Sequence, residues 1–224
     1  MEKNKTKQLK YALLQDLSER LNMHSFEKRV IGQSVIKKME KGLISIHLMY
    51  IEHQEDLDVT VDFGIRFDEV ESMGHMGNAL LTKKEKKGTF TIGAELGNVR
   101  DGRQRRWTII REGDIPAIAE SMFQSIKTVI LPLIDRYLEK EAVYNLCLRD
   151  DEKAVLLCPI NYKRAINAVA LAVIMKKDLD VISLIIKQKQ DYLRKQDEFG
   201  LEIFNSFIEN LELNGYKKKE KRND

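Results

Sequence analysis

From Asp58 to Phe67 the chain alternates without interruption. Val59, Val61, Phe63, Ile65 and Phe67 fall on one side of an extended ribbon, and Thr60, Asp62, Gly64 and Arg66 fall on the other. A two-residue period is the period of a β-strand with one apolar face, and a helix would scatter these side chains around its axis. The same rhythm returns in Thr89–Leu96, where Phe90, Ile92, Ala94 and Leu96 share a side. Ser34–Met39 and the Ile- and Leu-rich stretch Leu43–Ile51 are β-compatible, and Glu40-Lys41-Gly42 between them reads as a turn. Antiparallel strands joined by short connections follow, each with one buried face.

Helical periods flank this region. Leu9, Leu13, Leu17 and Leu21 recur at every fourth position and predict an amphipathic helix over residues 5–22. Asp114 stands as an N-cap, with Pro116 in the first turn. Ile115, Ile118, Ala119, Met122, Phe123, Ile126 and Ile130 continue an apolar stripe that Pro132 should kink or break near Leu131. Residues 133–148 keep helical spacing, and further helices are expected at 161–176, 179–195 and 199–213. Residues 68–87, with Gly74, Gly77 and a lysine run, read as a long connection.

The expected fold is therefore α+β: an antiparallel meander of about five strands packed by helices, followed by a helical C-terminal subdomain. The expected division is 1–149 for the sheet domain, 150–215 for the helical subdomain and 216–224 for a basic, disordered tail.

"GNVRDGRQRRW", residues 97–107, holds four arginines and the single tryptophan. Asp101-Gly102 is a strong two-residue hairpin signal. A turn there sets Leu96 opposite Trp107, Ala94 opposite Ile109 and Arg100 opposite Arg103. Arg100, Arg103, Arg105 and Arg106 are then a candidate anion grip, weighed against a hairpin end kept soluble by charge.

The formal charge is +3, but five basic and two acidic residues sit in Tyr216–Asp224, which leaves the rest neutral. A nucleic-acid reader carries its basic footprint on the body, so that class is not favoured. Between Glu52 and Glu71 eight acids face one base, Arg66. Asp56, Asp58, Asp62, Asp68 and Glu69 are the candidate contacts for a partner protein with a basic surface.

"FEKRVIGQSVIKKMEKGLISIHLMY", "DVTVDFGIRF", "IGAELGNVRDGRQRRW" and "VILPLIDRYL" together resemble the bacterial domain-of-unknown-function family 4304, over roughly residues 5–150. The resemblance implies the sheet fold and a bacterial source, and it implies no chemistry. The helices after 150 and Thr108 beside the tryptophan depart from that pattern.

His24, His47, His53 and His75 have no recognised metal spacing, and no phosphate loop, nucleophile elbow or zinc-protease motif occurs. Neither a metal nor a cofactor is expected. Cys147 and Cys158 lack CxxC spacing and read as inert thiols in apolar helices of a reduced, cytoplasmic protein. The outer sheet side, with Asp62, Arg66, Glu95 and Arg106, reads as a solvated face. No continuous apolar span for a membrane is expected. The leading expectation is a non-catalytic protein-interaction module of the immunity, antitoxin or regulatory kind. A nucleic-acid binder using the basic hairpin and tail, and an enzyme with an unrecognised polar groove, are the alternatives.

Overall fold

The structure is a computed structural model that describes residues 3–29, 33–76 and 81–213. The leucine repeat folds as α1 (Lys3–Asn22), with Leu9, Leu13, Leu17 and Leu21 all buried. The sheet follows as β1 (Glu27–Arg29), β2 (Ser34–Met39), β3 (Gly42–Glu52) and β4 (Leu57–Phe67). The chain then makes α2 (Asp68–Gly74) and α3 (Lys83–Lys86) before β5 (Ile92–Glu95), α4 (Leu96–Asp101) and β6 (Trp107–Ile109). The remainder is helical: α5 (Ile115–Ser125), a π-turn over Ile126–Ile130, α6 (Leu131–Tyr137), α7 (Lys140–Leu148), α8 (Glu152–Leu157), α9 (Asn161–Ile174), α10 (Leu179–Gln196) and α11 (Glu198–Leu213). The α+β class and the antiparallel meander are as the alternation requires.

Among the described residues the sheet has six strands, in the order β1-β2-β3-β4-β5, with β6 also on β4. Val59, Val61, Phe63 and Ile65 of β4 are buried, as their period demands. Gly64 and Thr60, on the other side, are buried too, so the expected solvated face is not open along this strand.

The chain divides into two compact units. A sheet unit comprises residues 1–65 and 92–138, and a helical unit comprises residues 66–91 and 139–224. The division expected at 149/150 does not coincide with this one. The helical unit takes in the end of β4, with α2 and α3, and α2 packs on α9. The stretch 68–87, expected to be a long connection, contains two short helices. Thr82 and Glu85 form a capping box that starts α3 from the lysine run. The basic tail expected at 216–224 lies outside the described residues.

In the sheet unit α1 packs on α5, where Ala119, Met122 and Phe123 are buried. Pro132 does not break this helix. The turn before it widens to a π-turn, and Ser125 and Thr128 hydroxyls donate to the carbonyls of Ser121 and Gln124 at 2.9 and 2.8 Å. A missing proline N–H is absorbed by rewinding one turn instead of ending the helix. Taken together, Glu112–Tyr137 is long and apolar enough to cross a membrane by length and composition, with 39% of its most apolar window buried inside the protein. In the helical unit the small side chains of Ala165, Ala168 and Ala172 lie buried in α9, which packs on α7, α10 and α11.

Candidate functional site

The arginine-rich segment does not fold as a hairpin on Asp101-Gly102. The Glu95 carboxylate accepts the Asn98 N–H at 2.9 Å and so caps a helix that begins at Leu96. Gly102 ends that helix at φ 74°, with its N–H donating to Asn98 O at 3.1 Å. A left-handed C-cap and a type I′ turn both call for glycine, and the side-chain cap on Glu95 decides between them. Gly97 has its own role. A Cβ there would lie 2.2 Å from Arg103 O and 2.4 Å from Arg105 N, so the returning chain passes directly over it. The second Glu95 oxygen accepts Arg105 N–H at 3.2 Å and holds that crossing.

The pairs Leu96–Trp107, Ala94–Ile109 and Arg100–Arg103 therefore do not form. β5 and β6 lie end to end on one edge of β4, with Asp62 opposite Glu95 and Asp58 opposite Thr108. Trp107 is buried, and its Nε1 donates to Ser121 Oγ at 3.0 Å. Arg105 stacks over the Trp107 ring at 4.9 Å. Arg106 lies 3.6 Å from Asp58, while Arg100 and Arg103 are exposed. Arg105 is thus stacked, Arg106 and Arg100 each pair at 3.6 Å with Asp58 and Asp101, and Arg103 is solvated, so the four do not converge.

The acidic candidates are dispersed as well. Asp56, Asp58 and Asp62 belong to the sheet unit, and Asp68 and Glu69 belong to the helical unit. Asp68 pairs with Arg66 at 2.7 Å, and Glu69 pairs with Lys140. Asp58 accepts the Thr108 hydroxyl at 2.7 Å, and this bond, with His53 and Arg106, holds its carboxyl below the usual range against burial. Burial raises Asp62, Glu95 opposite adds to the rise, and His47 offsets it. Spacing did not reveal that the β3–β4 turn brings donor atoms of His53, Asp56 and Asp58 within 4.8 Å of one another. Arg106 already occupies one side of that trio, of which only His53 is exposed.

The polar convergence is in the helical unit. α2 carries Glu71 and leads into His75, and α9 carries Lys163, Arg164 and Asn167. Glu71 is 2% exposed, and Lys163 Nζ donates to both its oxygens at 2.9 and 3.2 Å. Burial alone would raise this carboxyl, but Lys163 and the hydroxyls of Thr89 and Thr91 outweigh burial and hold it below the ordinary value. His75 Nε2 is 3.0 Å from Thr89 Oγ1 and 3.8 Å from Glu71 Oε2. Burial lowers the imidazole and keeps it neutral, although Glu71 pulls the other way. These groups, with Leu81, Ile160, Tyr162, Ile166 and Asn167, line a cleft of about 170 Å³.

The trio Thr89, His75 and Glu71 resembles a hydrolytic triad in composition only. Hydroxyl and carboxylate both face the same ring nitrogen, so no proton can pass through the ring from one to the other. The Thr89 oxygen also receives Arg66 Nη1 at 3.1 Å and donates to Lys86 O at 3.1 Å. Arg66, expected on an open sheet face, is the residue that pins this loop, with a further bond to Thr89 O at 2.6 Å. Asn167 donates to Thr91 O at 2.9 Å.

Behind the cleft lies a second network. Arg164 is fully buried and donates to Asp150 Oδ1, Cys158 O, Asn161 Oδ1 and Tyr192 Oη at 3.0, 2.7, 2.9 and 3.2 Å. Lys189, 2% exposed, donates to Asp150 Oδ2 at 2.8 Å and Leu148 O at 3.0 Å. Burial lowers the Lys189 ammonium, and Asp150 partly restores it. Asp151 is a helix cap, as adjacent loop acids suggest, accepting Ala154 N–H at 2.9 Å, but Asp150 turns inward. Cys147 and Cys158 are buried as expected, yet beside cations and not in apolar surroundings alone.

Sequence reasoning passed over this site, although it left a signal. Lys189 falls in step with Ile182, Ile185 and Leu193, and Arg164 and Asn167 fall in step with Ala168 and Leu171. A charge in register with an apolar stripe must be paired inside.

No family model matches the chain, and no curated protein or solved structure matches it either.

Proposed function

We propose that the protein is a non-catalytic binding module that holds a protein partner through an apolar anchor seated in the α2–α9 cleft. One observation carries this reading: Glu71, Thr89 and Asn167, which line the cleft, are already engaged by the protein itself. Glu71 is matched by Lys163, Thr89 by Arg66 and Lys86 O, and Asn167 by Thr91 O. A nucleophile or a general base needs a proton to give or a lone pair to use. These groups shape a wall. What the cleft still offers is apolar contact with Leu81, Ile160, Tyr162 and Ile166, and Ile160 is 46% exposed. About 170 Å³ suits one inserted side chain, whereas cofactor pockets start near ~300 Å³. A single anchored side chain is the usual centre of a protein interface.

The partner's basic surface is a weaker part of the expectation, because Asp68 and Glu69 are neutralised internally. Nucleic-acid binding would rest on Arg100 and Arg103 in the sheet unit and on the lysines of α3 in the helical unit. Peptides selected from a display library on the full chain should share one large apolar residue and lose binding by roughly tenfold or more with Ile160→Asp. Equal binding to both proteins would remove the reading. A nucleic-acid mobility shift abolished by Arg100→Ala with Arg103→Ala would put the alternative in its place.

A further inference from the structure

A second cleft, of about 450 Å³, lies within the sheet unit. Its walls are the end of α1, the β2–β3 hairpin, and the rod that runs from the π-turn through α6. α1 stops in a Schellman motif. Ser25 N–H donates to Asn22 O at 2.9 Å and Phe26 N–H to Leu21 O at 3.4 Å, with Ser25 at φ 65° where glycine is usual. A serine held in that conformation is strained, and such strain collects at binding sites. His24, beside it, lines the cleft with a ring whose Nε2 is shielded from solvent and finds no hydrogen-bond partner among the described residues. Unmet polar groups of this kind are rare inside a folded chain.

Lys37 is the informative residue. On β2 it stands opposite Ile44, as Val35 stands opposite Ile46. Val35, Ile44 and Ile46 are all buried, so Lys37 continues an apolar face. It is half-buried, and among the described residues it makes no ion pair. Lys127, in the π-turn, and Asp135, farther along the rod, line the same cleft and make no ion pair among the described residues either. Two ammonium groups against one carboxylate leave one positive charge in excess. Much of the remaining lining is apolar, through Phe26, Ile44, Leu131, Ile134 and Leu138.

We propose that this cleft binds a medium-chain fatty acid, with its carboxylate on Lys37 and Lys127 and its chain on Ile44, Leu131, Ile134 and Leu138. The size fits, because small-molecule clefts begin near ~300 Å³. The charge fits as well. One carboxylate cancels the excess, whereas a phosphate dianion would overshoot it and be repelled by Asp135. A lysine can snorkel, laying its stem on apolar surface with its ammonium in water. Snorkelling accounts for Lys37 alone and gives no reason for the unmet His24 nitrogen at the same wall. The site is independent of the anchor cleft in the helical unit.

The test is calorimetric titration of the full chain with sodium octanoate, with octanol and octylammonium as controls of the same length. Octanoate should bind at one site, about tenfold or more tighter than octanol, and octylammonium should not bind. Lys37→Met, which keeps an apolar stem, should weaken octanoate about tenfold, and Lys127→Met, at an exposed position, should weaken it less. Asp135→Asn should tighten it, because the repelling carboxylate is gone. Hexanoate should bind more weakly, by about fourfold for each methylene lost. Equal binding of octanoate and octanol, an affinity indifferent to both lysines, or no binding at all overturns the proposal. Loss of octanoate binding in Ile160→Asp overturns it as well, since the acid would then sit in the other cleft.

Discussion

The sheet unit and the helical unit handle the same chemistry in opposite ways. In the sheet unit, carboxylates such as Asp58 pair at the edge of β4, where Arg106 stays 47% exposed. Solvent shares the work there, and the pair is worth little. In the helical unit, Glu71 and Asp150 meet their cations inside, and Arg164 has no solvent contact. Removing Asp150 strands the charges of Arg164 and Lys189 away from water, whereas Lys163, beside Glu71, keeps partial access. One fold therefore holds cheap charges on its β-strands and expensive ones among its helices.

The comparison can be broken most directly at Asp150. Asp150→Ala should cost about 3–5 kcal/mol in urea unfolding, since it orphans two buried cations. A loss near zero would mean that water reaches the network. Glu71→Gln should cost slightly less, about 2–4 kcal/mol, because Lys163 is 22% exposed and can turn outward. Gly97→Ala tests the sheet unit by packing alone. Its Cβ would collide with the Arg103–Arg105 backbone, at about 1–3 kcal/mol, and unchanged stability would disprove the close crossing. Asp58→Asn, which keeps the Thr108 bond and loses the charge, should cost at most about 1 kcal/mol.

Acid sharpens the same contrast. Glu71 is held ionised in the fold, so its contribution is whole above the ordinary carboxylate range and is lost as pH falls through its lowered folded value. His75 is held neutral, so lowering pH below about 6.5 charges the unfolded chain first and costs stability. Urea midpoints should therefore fall in two stages, and Glu71→Gln should flatten the lower one.

The strands and the long helices were legible because each buries a periodic stripe. Val59 to Phe67, Leu9 to Leu21 and the three last helices all announce themselves by spacing. Local choices between two uses of one dipeptide were not. Asp101-Gly102 serves a hairpin or a helix end equally well, and the side chain of Glu95, six residues earlier, decides. α2 was hidden because it is short, acidic and ends in glycine, so its burial against α9 comes from tertiary contact and not from its own period. The site shared that fate. Glu71 lies far from Lys163 and Asp150 in sequence, and only Lys189 and Arg164, in step with apolar stripes, mark the interior charge beforehand.

The π-turn before Pro132 has an effect beyond accommodating a proline. One additional residue in a turn rotates everything after it by about 100° around the axis. Ile134 and Tyr137 are buried beyond it, as Ala119, Met122 and Ile126 are before it or at its start. Deleting a single residue from Ile126–Ile130 would keep the rod intact and turn its far end to the wrong side, much as a gear that skips one tooth still spins but no longer meshes.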